Sequence, residues 1–529
     1  MGGLDKMMQW LAAHPRLAVP GFGLLAALGF PPVHAWPLGL LGIAGLVWLL
    51  HRAETRKRAF LLGWLFGVAH FTLANNWIAT AFTYQAEMPA ALGWAAVPLL
   101  SLYLAVYPAL ATLAAHWLGR KAGLGVFGVL FAGCWIVTEW LRSWVFTGYA
   151  WDPLGLMLLG PWDRPGIAAA LPWLGTYGLS GLAVLLAIAL SVLAAKRRLL
   201  PCAVAAVSVA AGMYFPVPQG KEGTLAFTLV QPDVRQEELN DSSKFEEHFA
   251  RIAALSANRE RVPQRLVLWP ESGVPDYLRD GYPQRYYDQL TANGDPEFAR
   301  RRIGRTIGPG SLLLTGAVDL EIDEVDGYVR AVGAYNSVTA LDSQGRFVGD
   351  GYDKAHLVPY GEYLALRWLL EPLGATRLVA GALDFIPGPG PVTLDLGDWG
   401  KAGVQICYEI VFSGQVVDPE VRPDYIFNPS NDGWFGSWGP PQHLAQARLR
   451  AIEEGLPVLR STTTGISAVI DARGVVRSHI AMHRADRIDG FVPPARPPTL
   501  FSRMGNWLPL LWAFALIAAS LVATRRRAS

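Results

Sequence analysis

Gly403-Val-Gln-Ile-Cys407-Tyr-Glu409 is an apolar run that breaks off in a polar turn, the pattern of a short strand ending at the rim of a sheet. Cys407 is the single cysteine of the segment 217–504, and the other two, Cys134 and Cys202, lie in hydrophobic stretches where they are not placed to pair with it. Two readings stay open for the thiol on its own, a nucleophile or a buried structural cysteine, because free cysteine is among the most buried residue types.

The same texture repeats around this turn. Strands are expected at 224–231, 265–270, 311–318, 334–341, 402–407, 424–428, 456–461 and 466–471, and helices at 243–260, 284–303 and 441–454. Several strands are continuous apolar runs, as expected when both faces of a sheet are covered, so the segment reads as an α/β layered domain. The Pro/Gly-rich stretches 387–391 and 492–498 read as a turn and a linker. No phosphate-cradling glycine loop follows a strand and no His/Cys cluster has zinc spacing, so neither a metal nor another cofactor is expected.

Outside this segment the composition changes. Only 17% of the 529 residues are charged, against about a quarter in an ordinary soluble protein. Apolar stretches run over 17–32, 36–50, 59–79, 90–117, 124–141, 174–195, 199–216 and 505–524, most of them near the ~20 residues that cross a bilayer. Eight spans are expected, in a polytopic helical bundle. Every second connection is basic: Lys6 and Arg16, the run 51–58, Arg120 with Lys121, Lys196 to Arg198, and Arg525 to Arg527. The loops 31–37 and 84–89 have neither Lys nor Arg. By the positive-inside rule both termini lie in the cytoplasm and 217–504 lies outside. The expected division is 1–216 membrane helices, 217–498 a soluble domain, and 499–529 a last helix with a basic tail. A lone thiol in an oxidising compartment is a liability unless its reactivity is used, which favours the nucleophile. The net charge of +2 and the absence of a basic patch with interleaved aromatics argue against nucleic acid.

Segment 139–165 on the outer side holds four tryptophans. It reads as an aromatic belt at the membrane interface, or as a platform that handles lipid. Glu139 and Arg142, three apart at a helix end, are expected to pair or to meet a phospholipid head group.

Three strand ends carry candidate chemistry: Leu266-Val-Leu-Trp-Pro270-Glu271, Tyr352-Asp-Lys354 with its continuation to Gly361-Glu362-Tyr363, and the Cys407 turn. A carboxylate can take the thiol proton, and a fixed ammonium with a backbone N–H can stabilise an oxyanion. Glutamate, lysine and cysteine thus make a workable acyl-transfer set: residues such as Glu271 and Lys354 taken singly are most often surface charges, but each here follows an apolar strand or lies in an irregular Gly/Pro-rich segment, which reverses that reading.

Trp-Pro-Glu-Ser at 269–272, Asp-Lys-x-His-Leu-Val-Pro-x-Gly-Glu at 353–362 and Ile-Cys-Tyr-Glu at 406–409 resemble the Glu-Lys-Cys triad of the nitrilase superfamily. With the spans, and with Glu-Trp-Leu-Arg at 139–142, Phe-Thr-Gly at 146–148, Phe-x-Pro-Gly at 385–388 and 428–436, the whole chain resembles that superfamily's membrane-bound apolipoprotein N-acyltransferases. The resemblance implies an αββα sandwich on the periplasmic side of a bacterial inner membrane. It also implies a ping-pong reaction. Glu271 serves as base and Cys407 as nucleophile, with Lys354 and the N–H near Tyr408 for the oxyanion. Glu362 orients Lys354, while Tyr408 and Glu409 shape the nucleophile turn. The donor is the sn-1 acyl chain of a phospholipid, phosphatidylethanolamine being expected, and the acceptor is the α-amine of a diacylglyceryl apolipoprotein. Nothing demands more than a monomer. Two positions depart from the pattern: Leu239-Asn240 replaces a Lys-Trp pair, which leaves Trp434 as a candidate aromatic wall, and Tyr149-Ala150 replaces an aromatic-Pro pair. The competing readings are a membrane-tethered amidase that transfers to water, opposed by the number of spans, and a non-catalytic lipoprotein-binding scaffold, opposed by retention of all three triad residue types.

Overall fold

The computed structural model describes residues 3–84, 90–218, 220–259, 261–373 and 383–526. Most of the loop 84–89, which has neither Lys nor Arg, and the final arginine of the basic tail lie outside the described residues.

Twelve strands build two six-stranded sheets. They are β1 (Ala226–Gln231), β2 (Arg265–Leu268), β3 (Ser311–Val325), β4 (Tyr328–Asp342), β5 (Tyr352–Asp353), β6 (Thr393–Asp395), β7 (Lys401–Val404), β8 (Tyr425–Ser430), β9 (Val458–Thr462), β10 (Ser467–Ile470), β11 (Val476–Ile480) and β12 (Asp486–Phe491). One sheet has the order β12-β1-β2-β3-β4-β5 and the other β11-β10-β9-β8-β7-β6. In each, three parallel strands (β1–β3, β7–β9) are flanked by antiparallel ones, so the two sheets repeat one plan.

Successive residues of a strand face opposite sides, and here both sides are buried. Leu266, Leu268, Leu312 and Leu314 meet Val404, Ile406, Phe427 and Leu459 between the sheets. Val267, Trp269 and Leu313 point the other way, beneath helices Phe245–Ser256 and Pro296–Ile307. Ile426, Val458, Ala468 and Ile470 lie beneath helix Gly439–Glu454. The layers are helix, sheet, sheet, helix, the αββα arrangement that the family resemblance implies.

All eight expected strands are present. The four further ones, β5, β6, β11 and β12, are very short or polar and partly exposed, so they carry no apolar signal. The single helix expected at 284–303 is two, Gln284–Leu290 and Pro296–Ile307. Asn293 and Gly294 take positive φ, and the Asp295 carboxylate then caps the second helix by accepting the N–H groups of Glu297 (2.9 Å) and Phe298 (3.2 Å), with Pro296 at its first position.

Each of the eight apolar stretches is helical. Among the described residues four helices are long and apolar enough to cross a membrane, Leu92–Gly119, Leu124–Arg142, Ile167–Ala195 and Trp507–Arg526, and two shorter apolar ones are Trp36–His51 and Leu200–Tyr214. The stretches at 17–32 and 59–79 correspond to Pro15–Ala27, only 13 residues with Pro20 inside, and to Arg56–Ala74, which opens on three basic residues. Small residues let these helices approach closely: a Cβ on Gly23 would stand 2.3 Å from the Phe66 carbonyl oxygen.

Helix Gly439–Glu454 joins the two parts. It is buried over nearly its whole length because the sheet covers one side and the membrane helices the other. Gln442 accepts the Trp151 indole N–H (2.9 Å) and donates to the carbonyls of Pro31 and Ala74. The helix Leu171–Ala195 is interrupted at Gly175 (φ +66°), where a Cβ would strike the Phe501 ring. Glu453 accepts the Thr176 N–H (2.6 Å) and hydroxyl (2.5 Å) there, capping the resumed helix with a carboxylate from the two-sheet domain. Arg448 donates to four carbonyls, of Gly474, Gly160, Pro161 and Arg164, and burial pulls its guanidinium down to about 9. Arg448→Met strands those carbonyls in a dry interior and is expected to cost about 2–4 kcal/mol. A lowered thermal midpoint of the detergent-solubilised chain checks this, and an unchanged midpoint contradicts it.

Candidate active site

Glu271, Lys354 and Cys407 follow three strand ends. Glu271 lies three residues beyond β2, Lys354 directly after β5 and Cys407 three beyond β7, so one sheet supplies the carboxylate and ammonium and the other the thiol. The separation in sequence is closed by register. β5 pairs with β4 through Ser337 and Asp353, and the Lys354 N–H donates to the Asn336 carbonyl (2.9 Å).

Asn336 sits between two carboxylates. Its Nδ2 donates to Glu271 Oε1 (2.8 Å) and to Glu362 Oε1 (2.9 Å). The Lys354 ammonium, 1% exposed, lies 2.9–3.0 Å from both oxygens of Glu362 and 3.8 Å from Glu271 Oε1. Burial works against the ammonium, yet the charges of Glu362 and Glu271 outweigh it and hold Lys354 above the ordinary lysine range. Glu362 also accepts the Val358 N–H (2.7 Å), which locks the carboxylate beside the lysine. Oε2 of Glu271 is buried and has no hydrogen-bond partner among the described residues, so it is open to a proton.

Cys407 is buried and adopts φ +50°, a region that non-glycine residues populate sparsely. Burial pushes its thiol well above the ordinary range and the Glu271 charge adds to this, while Lys354 and the Asn431 N–H pull against it. The thiol is therefore protonated at neutral pH and requires a base to react.

Glu409 fastens the turn. Its Oε2 accepts the Ile406 N–H (2.8 Å), and its Oε1 accepts the Tyr352 hydroxyl (2.7 Å) and the N–H groups of Ala355 (2.7 Å) and His356 (3.1 Å). One carboxylate thus ties the lysine segment to the nucleophile turn. Burial pushes Glu409 up to about 7, against the pull of these donors. For an acid raised in the folded state, the stabilising contribution is full below about 4.5 and is lost as pH rises through about 7. Between pH 5 and 8 wild type should lose up to about 3 kcal/mol relative to Glu409→Gln. Parallel thermal melts of the two proteins check the sign, and a gap that widens in favour of wild type refutes it.

Tyr408 is buried with its hydroxyl 3.5 Å from the Gly148 carbonyl, and its ring stacks on Trp151 (6.4 Å) and meets Phe412 edge-on (5.1 Å). The Cys407 turn therefore rests on the loop that follows helix Leu124–Arg142. That loop is not a uniform belt: Trp151 is fully buried against Trp77, Phe435 and His443, whereas Trp144 is half exposed. Glu139 and Arg142 do not pair with each other. Glu139 accepts the Leu154 N–H (2.8 Å) and the Trp135 indole N–H (3.2 Å), and Arg142 donates to the Trp151 carbonyl (2.8 Å) and lies over the Phe71 ring (5.1 Å). Both are buried and shape this loop. Trp434 is half-buried, edge-on to Tyr84 (5.9 Å), while its neighbour Phe435 makes the aromatic contacts with Trp77 and Trp151. Among the described residues no group of three or more His, Cys, Asp or Glu is disposed to hold a metal.

Two family models match the chain. Residues 22–189 match the apolipoprotein N-acyltransferase N-terminal domain and residues 228–480 match carbon-nitrogen hydrolase. A protein of Rhodopseudomonas palustris named apolipoprotein N-acyltransferase is 32% identical over 96% of this chain and 94% of its own length. The chain belongs to the apolipoprotein N-acyltransferase family. Proteins of the same name from Allorhizobium ampelinum (35% identical over 87% of this chain and 86% of that one) and Caulobacter vibrioides (33%, over 96% and 94%) agree. In this apolipoprotein N-acyltransferase family member, the interval between the two matched regions holds helix Leu199–Tyr214 and the connection to β1.

Several residues of the site were not singled out from the sequence. Asn336 carried no distinct signal, because the expected strand 334–341 also holds Ser337 and Thr339. Asp432 lies within the quoted 428–436 motif and Arg460 is a charged residue in the expected strand 456–461, whereas His443 carried no signal. In the structure the Asp432 carboxylate lies 2.9 Å from His443 Nδ1 and accepts from Arg460 at 2.7–2.8 Å. Burial opposes its ionisation, yet the Arg460 charge and the His443 hydrogen bond hold Asp432 down at about 2.

Proposed function

We propose that the chain transfers the sn-1 acyl chain of a phospholipid, phosphatidylethanolamine in the first instance, to the α-amine of an N-terminal S-diacylglyceryl cysteine. Glu271 Oε2 takes the Sγ proton and the thiolate attacks the ester carbonyl. The oxyanion meets the Lys354 ammonium and the Tyr408 N–H. The C–O bond breaks, the lyso-phospholipid leaves with the proton held by Glu271, and Cys407 carries the acyl chain as a thioester. The lipoprotein amine then attacks, loses a proton to Glu271, and the Cys407 thiolate departs and is reprotonated. Glu362 orients Lys354, and Tyr408 and Glu409 hold the turn.

The observation that carries this reading is the seating of the nucleophile turn on the membrane-side loop, with Tyr408 against Gly148 and Trp151. A hydrolase that releases acyl groups to water needs no such seat. Excluding water there would also protect the thioester. The reading includes eight spans, both termini in the cytoplasm, and a catalytic domain over 217–498 on the periplasmic side. That placement puts the site beside the outer leaflet, where both substrates are anchored.

Intact mass spectrometry after incubation with phosphatidylethanolamine tests it, with Cys407→Ala as control. A hydroxylamine-labile gain of one acyl chain, absent in the control, is the expected result. No adduct on folded protein rejects this donor.

A further inference from the structure

The Cys407 carbonyl oxygen lies 3.0 Å from Nε2 of His443. A carbonyl can only accept, so Nε2 carries the proton, whatever the state of the other ring nitrogen. His443 is fully buried and its ring is held on every side. Nδ1 lies 2.9 Å from Asp432 and 3.0 Å from Arg460, and the faces meet Trp151 (5.1 Å) and Phe435 (5.6 Å).

The Cys407 carbonyl and the Tyr408 N–H belong to one planar peptide unit. A hydrogen bond to the carbonyl draws electron density from the nitrogen, which makes the N–H a stronger donor, and it fixes the plane in which that N–H lies. The plane needs fixing, because Cys407 is in the left-handed region. Glu409 holds the Gln405–Ile406 peptide, two units upstream, through the Ile406 N–H, so the turn is tied down before Cys407 as well as after it.

We infer that His443 is a positioning residue for the oxyanion donor, acting through the Cys407–Tyr408 peptide and not on the thiol. The inference rests on the acyl-transfer reading above. Asp432 and Arg460 set the ring, and Trp151 places a membrane-side residue directly against it.

Two reactions of the same thiol separate the roles. Acylation of Cys407 by a p-nitrophenyl acyl ester builds an oxyanion, whereas alkylation by iodoacetamide attacks a saturated carbon and builds none. The full chain in detergent is compared with His443→Leu, which has no donor, and His443→Gln, whose amide reaches about as far as Nε2. His443→Leu should slow acylation about tenfold or more while alkylation stays within about twofold, and His443→Gln should recover most of the acylation. Unchanged acylation in His443→Leu overturns the inference, and so does a parallel loss of alkylation, which would place the effect on the thiol. If His443→Leu does not fold, His443→Asn replaces it: its amide falls short of the carbonyl, and equal acylation by the Asn and Gln variants overturns the inference. Wild type that is acylated by the nitrophenyl ester but not by phospholipid rejects the donor reading and leaves this inference standing.

Discussion

Cys407→Ser is expected to abolish acyl transfer, by at least about 10⁴-fold, while leaving the fold in place. The substituted side chain is slightly smaller and sits at the end of the apolar layer between the sheets, beside Val404 and Ile406, so packing changes little. The chemistry changes far more. A hydroxyl proton is held far more tightly than that of a thiol, so the attacking anion is far harder to form. The Lys354 ammonium, fixed by Glu362, gives no compensation, because the proposed mechanism uses it for the oxyanion. The check is twofold: no acyl adduct by intact mass, and no gain of a third chain on a diacylglyceryl acceptor. Substantial turnover by this variant would remove Cys407 from its assigned role.

Glu271→Gln should depress thioester formation by about 10²–10⁴-fold. The substitution is clean because the two carboxylate oxygens differ. Oε1 accepts from Asn336, and a glutamine carbonyl preserves that bond. Oε2 has no partner among the described residues, so the amide NH₂ displaces only the proton acceptor. Volume is conserved and Glu362 still neutralises Lys354, so the thermal midpoint should move little. Rapid-quench measurement of the thioester after mixing with phospholipid decides the matter: accumulation at the wild-type rate excludes Glu271 as the base.

Much of this architecture was legible from residue order. Apolar runs such as Leu266-Val-Leu and Tyr425-Ile-Phe gave the central strands because burial on both faces leaves a continuous apolar signature. Edge strands did not show themselves. β12, Asp486-Arg-Ile-Asp-Gly-Phe491, is polar and partly exposed, and only its pairing with β1 makes it a strand. Glu271, Lys354 and Cys407 stood out because each follows an apolar strand or lies in an irregular turn. Asn336 reaches carboxylates 26 and 65 residues away, Arg460 a carboxylate 28 away and His443 a backbone carbonyl 36 away, and no local pattern names such partners. Glu139 and Arg142 show the opposite failure. Their helical spacing suggested mutual pairing, yet each found a backbone group of the folded loop closer at hand.

Helix Gly439–Glu454 bears His443 near one end, on the nucleophile's carbonyl, and Glu453 near the other, on the interrupted membrane helix. At 1.5 Å per residue it is a strut about 24 Å long, too stiff to bend between those two anchors. The thiol consequently has a fixed altitude relative to the bundle. On the acyl-transfer reading proposed above, a thicker or thinner bilayer that tilts the bundle would carry the sulfur with it as the tip of a lever, and the depth at which it meets an ester would follow the angle of the bundle.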